Sequence, residues 1–471
     1  MPLTKDEARK FEAAKSLWEQ AKYDEAYDIV RPVLTDAPYN GSFLALAGVI
    51  YEKAENLPVA YHLFKSATQV EPNEANHWVN LGRVAEDMWH TQEAERHYKV
   101  ALKKVNRDDT LRILYGNLAA LCIDNARYEE AEKWCEQALT KFPDFRLGKS
   151  NLGFAQLALG KWDKGWANYR YALDTPTRTK FQYGNEPEWD GTPGKRVVLY
   201  GEQGIGDEIS FASMVPDAID ICRKVVIDCD LRLANLFARS FPQATVYGTR
   251  KMPHDCALWK EEDTQFDASL AIGQIGEYFR KTPADCPGTP YLIPDDDRVL
   301  MWRALWAKKK KPVIGIAWNG GIPRTGMKFR KWTLEQLLPV LSSIEAHWVS
   351  LEYKSAAKAI GEFKARHPEI DLHEYPHATL TRDYDDTAAL VASLDMVFCV
   401  QTAVAHLGGA LGVPTWVCVP PTSQWRYGSK GEDVPWYKSV RVLRQVNKAW
   451  DFKAIGRQIA EHFTPALKNA A

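Results

Sequence analysis

The chain has 471 residues, is 45% hydrophobic and 26% charged, and carries a formal net charge of −1, the make-up of a globular protein of two or three domains. That charge balance argues against nucleic acid as a partner and against an acidic membrane surface. Its eight cysteines form neither a CxxC pair nor a His/Cys cluster, so no zinc site is expected.

The N-terminal stretch up to Gln20 has no apolar core of signal-peptide type, which predicts a cytoplasmic protein with reduced thiols. Beyond it, Ala26, Ala60 and Ala94 recur every 34 residues, Ala131 follows after 37 and Gly165 after 34 more. Gly48, Gly82, Ala119 and Gly153 run in phase with them, as do Val33, Ala67, Ala101, Ala138 and Ala172, with prolines at Pro38, Pro72 and Pro143. Each unit reads as helix, turn and helix: small residues admit a close approach, an aromatic (Phe64, Tyr98, Tyr169) fills the space beside them, and the proline ends the second helix. The pattern resembles the tetratricopeptide repeat. The resemblance implies an α-solenoid of about five units over residues 1–175, whose concave face takes an extended peptide or a protein surface. The three extra residues before the fourth unit are expected in a longer polar loop near Asn106–Thr110.

Residues 176–195, rich in Thr, Pro and Gly, read as a linker. After them the periodicity changes. Short apolar runs at Arg196–Tyr200, Val225–Asp228, Thr245–Tyr247, Val313–Trp318, His347–Leu351, Met396–Val400 and Thr415–Val419 alternate with helical patterns, which predicts parallel sheets. The runs fall into two series, 196–290 and 311–446, followed by a C-terminal helix over 447–471. Two doubly wound domains facing each other across a cleft would bind ligand at the carboxyl ends of their strands. The most apolar stretch, Ala388–Val419, is interrupted by Asp395, Gln401, His406 and Pro414, so it reads as buried strand and helix and no membrane span is expected.

The first strand of this region runs into a glycine loop, Gly201, Gly204 and Gly206, followed by Asp207 and Glu208. The spacing is GxxGxG, not the dinucleotide fingerprint, which argues against a nicotinamide oxidoreductase. Asp207 reads either as an ordinary first-turn acid beside the helix dipole or as a general base. In the second series Trp318 and Asn319 follow a strand, and Arg324, Lys328, Arg330 and Lys331 lead to Trp332. Those four cations read as a polyphosphate clamp or as a solvated loop. Lys308–Lys311 reads as a solvated end. Further on, a strand ends at Val400 before Gln401, and Thr402 reads as an N-cap. The N–H groups of Ala403 and Val404 would then suit a phosphate. His406, one turn in, reads as a phosphate donor or a structural histidine. Asp295–Asp297 and Asp383–Asp385 match DxD but fall in expected loops away from the strand ends, so neither is read as a metal site.

Taken together, Gly201–Asp207, Pro290–Pro294, Ile314–Trp318, Arg330–Trp332, Thr402–His406 with Gly412–Pro414, and Trp425–Tyr427 with Pro435–Tyr437 resemble the heptosyltransferase-type glycosyltransferases (family 9) of the GT-B fold. The likeness is greatest to the bacterial proteins that carry tetratricopeptide repeats ahead of such a domain. The resemblance implies an α-solenoid followed by two facing Rossmann-like lobes, 196–290 on the acceptor side and 311–446 on the nucleotide-sugar side. It implies inverting transfer of a sugar from a nucleotide-diphosphate donor to a hydroxyl, with no cofactor and no metal. Asp207 matches the family's base; Arg330 matches its phosphate-binding cation, with Lys331 beside it. Thr402, Ala403 and His406 match the motif that holds the pyrophosphate, and Trp318 and Asn319 fall at the donor side. One position departs: Gln401 stands where the family has an aspartate, which leaves the sugar open. By analogy with the O-linked N-acetylglucosamine transferases, another union of repeats with GT-B, the acceptor is a protein; a glycan acceptor fits equally. The alternative is a non-catalytic repeat scaffold with a degenerate nucleotide-sugar domain.

Overall fold

The computed structural model describes residues 4–36, 38–175, 177–250, 266–308, 310–321, 329–421, 423–445 and 449–470. The chain divides into two compact units, 1–152 and 153–471, with the boundary inside a helix. Among the described residues no helix is long and apolar enough to cross a membrane.

The first unit is a TPR-like helical solenoid. Its helices pair in sequence: α1 Lys5–Glu19 with α2 Tyr23–Asp36, α3 Gly41–Lys53 with α4 Leu57–Val70, α5 Ala75–Asp87 with α6 Thr91–Lys104, and α7 Asp108–Asp124 with α8 Tyr128–Lys141; α9, Arg146–Ala158, spans the boundary. Polar side chains start several of them: Thr4 and Glu7 form a reciprocal capping box on α1, and Asn40 and Asn56 accept from the first turns of α3 and α4. The alanine column is the buried seam, with Ala26, Ala60, Ala94 and Ala131 all fully shielded. Its glycine companion exists for the aromatic opposite. A Cβ at Gly48 would lie 2.8 Å from the Phe64 ring, and one at Gly82 would lie 2.5 Å from Tyr98.

A further in-phase column appears only in the backbone. Between the helices of each pair one residue takes the left-handed conformation: Ala21 (φ 60°), Glu55 (59°), Trp89 (61°) and Ala126 (56°). None of the four is glycine, and each side chain there costs about 1–2 kcal/mol against the right-handed alternative. The extra residues before the fourth unit correct the expectation of a longer loop. Asp108–Thr110 are helical, and α7 has 17 residues against 13 in α3 and α5, so the insertion lengthens the helix. Asp108 and Asp109 suit a first helical turn, where they meet the positive end of the dipole.

The second unit opens with the end of α9 and α10, Trp162–Tyr169, and contains two sheets. The smaller has the order β3-β2-β1-β4, from β1 Arg196–Tyr200, β2 Lys224–Asp228, β3 Thr245–Tyr247 and β4 Ala268–Ala271. The larger has the order β10-β11-β9-β8-β5-β6-β7, from β5 Val313–Ala317, β6 His347–Ser350, β7 Leu372–Glu374, β8 Met396–Val400, β9 Thr415–Val419, β10 Asp433–Val434 and β11 Tyr437–Arg444. All pairings are parallel except β10 with β11. The central strands are continuous apolar runs because helices cover both faces. The short β4, β7 and β10 and the polar-interrupted β11 carry no such run, and sequence periodicity does not reveal them. The core of the larger sheet gathers Ile314, Ile316, Trp332, Trp348, Phe398 and Trp416 with Ile459 of the C-terminal helix Phe452–Ala470.

Two expectations are corrected here. The stretch read as a linker is anchored within its described residues, 177–195. Arg178, 1% exposed, donates to Glu202 Oε1 at 2.9 and 3.1 Å and to the Tyr169 carbonyl at 2.9 Å. Trp189 is equally buried, and its N–H joins the edge of the smaller sheet at the Ser269 carbonyl. The DxD stretches are not loops either. Asp295 caps the helix Asp296–Trp306 and Asp383 caps Tyr384–Ala392. Both belong to an ion-pair lattice in which Arg239 reaches Asp385 at 2.6 Å and Arg298 reaches Asp386 at 2.6 Å.

Candidate functional site

Two strand-to-helix turns meet in the second unit. β1 leads through Gly201–Gly204 into α11, Ile205–Ala212, and β8 leads through Gln401 and Thr402 into the helix Ala403–Leu411. The first turns touch: a Cβ on Gly206 would lie 3.1 Å from the Ala403 Cα. Beside this contact is a cavity of about 520 Å³ lined by Gly204–Asp207, Arg232, Arg330, Tyr353, Thr379–Thr381, Gln401–Val404, His406 and Gln424. Strand carboxyl ends and helix amino ends therefore converge on one space, which favours an anionic ligand.

On the β1 side the glycine loop is dictated by its neighbours. Gly201 donates its N–H to the Asp228 carbonyl at 2.8 Å, and a Cβ there would strike the buried Glu208 carboxylate. Glu208 pairs with Arg250 and accepts the Asp230 N–H at 2.9 Å, so it supports the loop and does not face the cavity. Burial outweighs these partners and pushes its pKa up to about 8. Asp207 Oδ2 accepts the Gly204 N–H at 3.1 Å, closing a capping interaction, while Oδ1 lies 2.8 Å from Nη2 of Arg426. Arg426 is itself buried, with its guanidinium 4.4 Å above the Phe211 ring. Arg232, also in the cavity wall, forms a bidentate pair with Asp230 at 2.9 and 3.0 Å.

On the β8 side Arg330 lines the cavity, and its Nη1 donates to the Gln401 carbonyl at 3.3 Å. Gln401 is 3% exposed, and its side-chain Nε2 has no hydrogen-bond partner. Such a buried, unmatched donor is unfavourable by about 1–3 kcal/mol until an acceptor arrives. Thr402 occupies the N-cap position, but its hydroxyl makes no capping bond, which corrects the expectation of a side-chain cap. The N–H groups of Ala403 and Val404, in the first turn, have no acceptor within the helix.

His406 differs from its expected role. Its Nδ1 lies 3.2 Å from the Tyr437 hydroxyl and its Nε2 3.2 Å from the Tyr427 hydroxyl, so both nitrogens are engaged by tyrosines. Burial, aided by the Arg426 charge, pulls its pKa down to about 3. The neutral ring lines the cavity as a wall and fixes the helix to the 425–427 turn. Three other candidates lie outside the cavity lining. Trp318 packs in the core with Trp332 and Phe398. Asn319 is held by Glu352, which accepts its backbone N–H and its Nδ2, both at 2.9 Å. Lys331 is exposed. Arg324 and Lys328 lie outside the described residues.

Sequence reasoning gave no role to Arg232, Tyr353 or Arg426. Tyr353 had a usable signal, since it stands just beyond the carboxyl end of β6. Arg426 falls inside the Trp425–Tyr427 motif, but its role depends on a distant partner, Asp207. Arg232 sits on a 3₁₀ turn and pairs locally with Asp230, a pattern that does not by itself point to a cavity.

The fold and the site define a TPR-like solenoid followed by a parallel-sheet α/β domain with a cavity at its strand ends. No family model matches the chain. Over 413 residues it is 29% identical to protein FlbA of Caulobacter vibrioides, an alignment that spans 82% of this chain and 66% of FlbA. Over 174 residues it is 27% identical to protein O-mannosyl-transferase TMTC3 of Mus musculus, spanning 34% of this chain and 19% of that protein. The chain thus spans just under two thirds of the first relative and about a fifth of the second. Among solved structures, PilW, a type IV pilus biogenesis factor, aligns with a TM-score of 0.34 at 16% identity, covering 36% of this chain and 77% of PilW. MamA aligns with a TM-score of 0.30 at 18% identity, covering 34% and 91%.

Proposed function

We propose that the chain is a glycosyltransferase that moves a sugar from a nucleotide-diphosphate donor to a hydroxyl on a protein or glycan acceptor, with inversion. The observation that carries this reading is the composition of the cavity wall. A carboxylate, Asp207, stands on one side. On the other side stand a guanidinium, Arg330, an unmatched amide donor, Gln401 Nε2, and the open N–H groups of a helix terminus.

In this reading the acceptor oxygen attacks the anomeric carbon and gives its proton to Asp207. The bond from that carbon to the phosphate oxygen breaks, and its electron pair leaves with the nucleotide diphosphate. Arg330, Gln401 and the N–H groups of Ala403 and Val404 stabilise the charge that develops on the leaving group. Similarity to TMTC3, named as an O-mannosyl-transferase, supports a sugar-transfer reading and a protein acceptor. The solenoid's part is to bind an extended peptide or protein partner, as helical-repeat surfaces do. The reading calls for no resident cofactor or metal.

A second reading rests on the Asp207–Arg426 ion pair. If that pair never opens, the acid is unavailable and the domain is a nucleotide-sugar sensor attached to a scaffold. Calorimetry with a panel of nucleotide sugars, followed by mass spectrometry of the protein incubated with donor and host lysate, separates the two. Donor binding with hydrolysis or transfer supports the enzyme. Binding without turnover supports the sensor, and the absence of any donor binding removes both.

A further inference from the structure

The amino ends of β6 and β7 carry a second cluster of functional side chains. The strands are adjacent and parallel, with Trp348 opposite Leu372 and Val349 opposite His373. The pleat places Asp371 and His373, two residues apart, on one face of the sheet, and His347, one step before the Trp348–Leu372 pair, on the same face. Asp371 Oδ2 lies 2.9 Å from His347 Nδ1, Asp371 Oδ1 contacts His373 Nε2, and the two imidazoles stack with centroids 4.8 Å apart. One ligand atom from each of the three residues falls within 4.8 Å of the others.

We propose that His347, Asp371 and His373 form a binding site for one divalent transition-metal ion of the zinc type, through His347 Nδ1, His373 Nε2 and the Asp371 carboxylate, with water as the fourth ligand. Two imidazoles and a carboxylate are a donor set zinc accepts, with bonds of about 2.0–2.2 Å. The three donors already face one another, so the ion enters by a small opening of the carboxylate contacts. The orienting group is also present. The Tyr375 hydroxyl lies 3.1 Å from His347 Nε2. With Nδ1 on the metal, Nε2 carries the ring proton and donates it to the Tyr375 oxygen, as ligating histidines commonly do to an outer partner. His347 is buried, whereas the His373 side chain is 39% exposed and gives the ion its entry.

Lys311 Nζ lies 2.9 Å from Asp371 Oδ2. In the metal-free protein this ammonium and the two imidazoles satisfy the carboxylate, so binding exchanges one cation for another. The cluster sits at the amino ends of the parallel strands, and the cavity sits at their carboxyl ends. The ion therefore takes no part in chemistry there. It clips β7, an edge strand of the larger sheet, to β6.

The test uses the full chain stripped with a chelator and titrated with Zn²⁺ alone. One ion per chain is expected, with affinity reduced tenfold or more in His373→Ala and Asp371→Asn. Lys311→Met is expected to tighten binding severalfold, a gain that a merely structural ion pair would not produce. His373 is partly exposed, so its removal leaves the core intact. No stoichiometric binding, equal binding by His373→Ala, or weaker binding by Lys311→Met would overturn the proposal.

Discussion

Asp207 Oδ1 and Arg426 Nη2 stand 2.8 Å apart, joining the first turn of α11 to a 3₁₀ turn beyond β9. Arg426 is placed by aromatic packing: its guanidinium covers Phe211, Trp425 meets Trp166 edge-on at 5.3 Å, and Trp436 stacks on Trp162 at 5.2 Å. The tryptophans of α10 therefore brace the turn whose arginine holds the candidate base.

Asp207→Asn keeps the shape and the Gly204 contact but cannot take a proton. Transfer should fall by about 10²–10⁴-fold, the range for a lost general base, with donor affinity nearly unchanged. Turnover by mass spectrometry and donor affinity by calorimetry check both. Unaltered turnover removes Asp207 from the mechanism.

Gln401→Glu places a carboxylate among groups that await a phosphate. Donor affinity should weaken by about 1–3 kcal/mol, the penalty of a repulsive or unmatched buried polar group, readable by titration with the intact donor. Tighter binding would show that the Gln401 side chain faces a donor-rich part of the ligand and not the phosphate.

Glu55 holds φ 59° in the turn between α3 and α4. Glu55→Gly should stabilise the protein by about 0.5–1 kcal/mol, the strain relieved less the added freedom of the unfolded chain. Glu55→Ala should be close to neutral. Urea midpoints at constant m-value report the difference.

Glu86 on α5 is half-buried, and desolvation pushes its pKa from 4.5 up to about 8, although the Tyr98 hydroxyl donates to it at 2.7 Å. The native carboxyl thus keeps a proton that the unfolded chain has released. Glu86 contributes fully below about pH 4.5, and its contribution is lost as pH rises through about 8. Glu86→Gln should flatten the decline in thermal stability across that window. A wild-type midpoint that rises between these pH values, with the rise absent in the variant, would reverse the assignment.

The solenoid was legible because its signal is local and repeated. Gly48 meets Phe64 and Gly82 meets Tyr98 at the same offset within a helix pair, so period and contact coincide. The left-handed turn residues repeat with the same period, but no common side chain marks them, since the column holds two alanines, a glutamate and a tryptophan. Strands with apolar runs were readable for the same local reason. The cavity's two turns were readable too, since glycines and a threonine at strand ends mark where backbone meets a ligand.

Sequence alone determined that helix pairs precede alternating strands and helices, that Gln401 directly follows a strand and that Asp207 falls in the first turn of the helix after another. Those facts follow from side-chain volume, backbone freedom and short-range periodicity, which act between residues close in the chain. Only the tertiary structure decided that Asp207 meets Arg426, that two tyrosines occupy His406, that Trp318 and Asn319 lie outside the cavity lining and that Arg178 and Trp189 are buried. These pairings join residues far apart in sequence, where no local pattern acts and complementary burial and charge choose the partner.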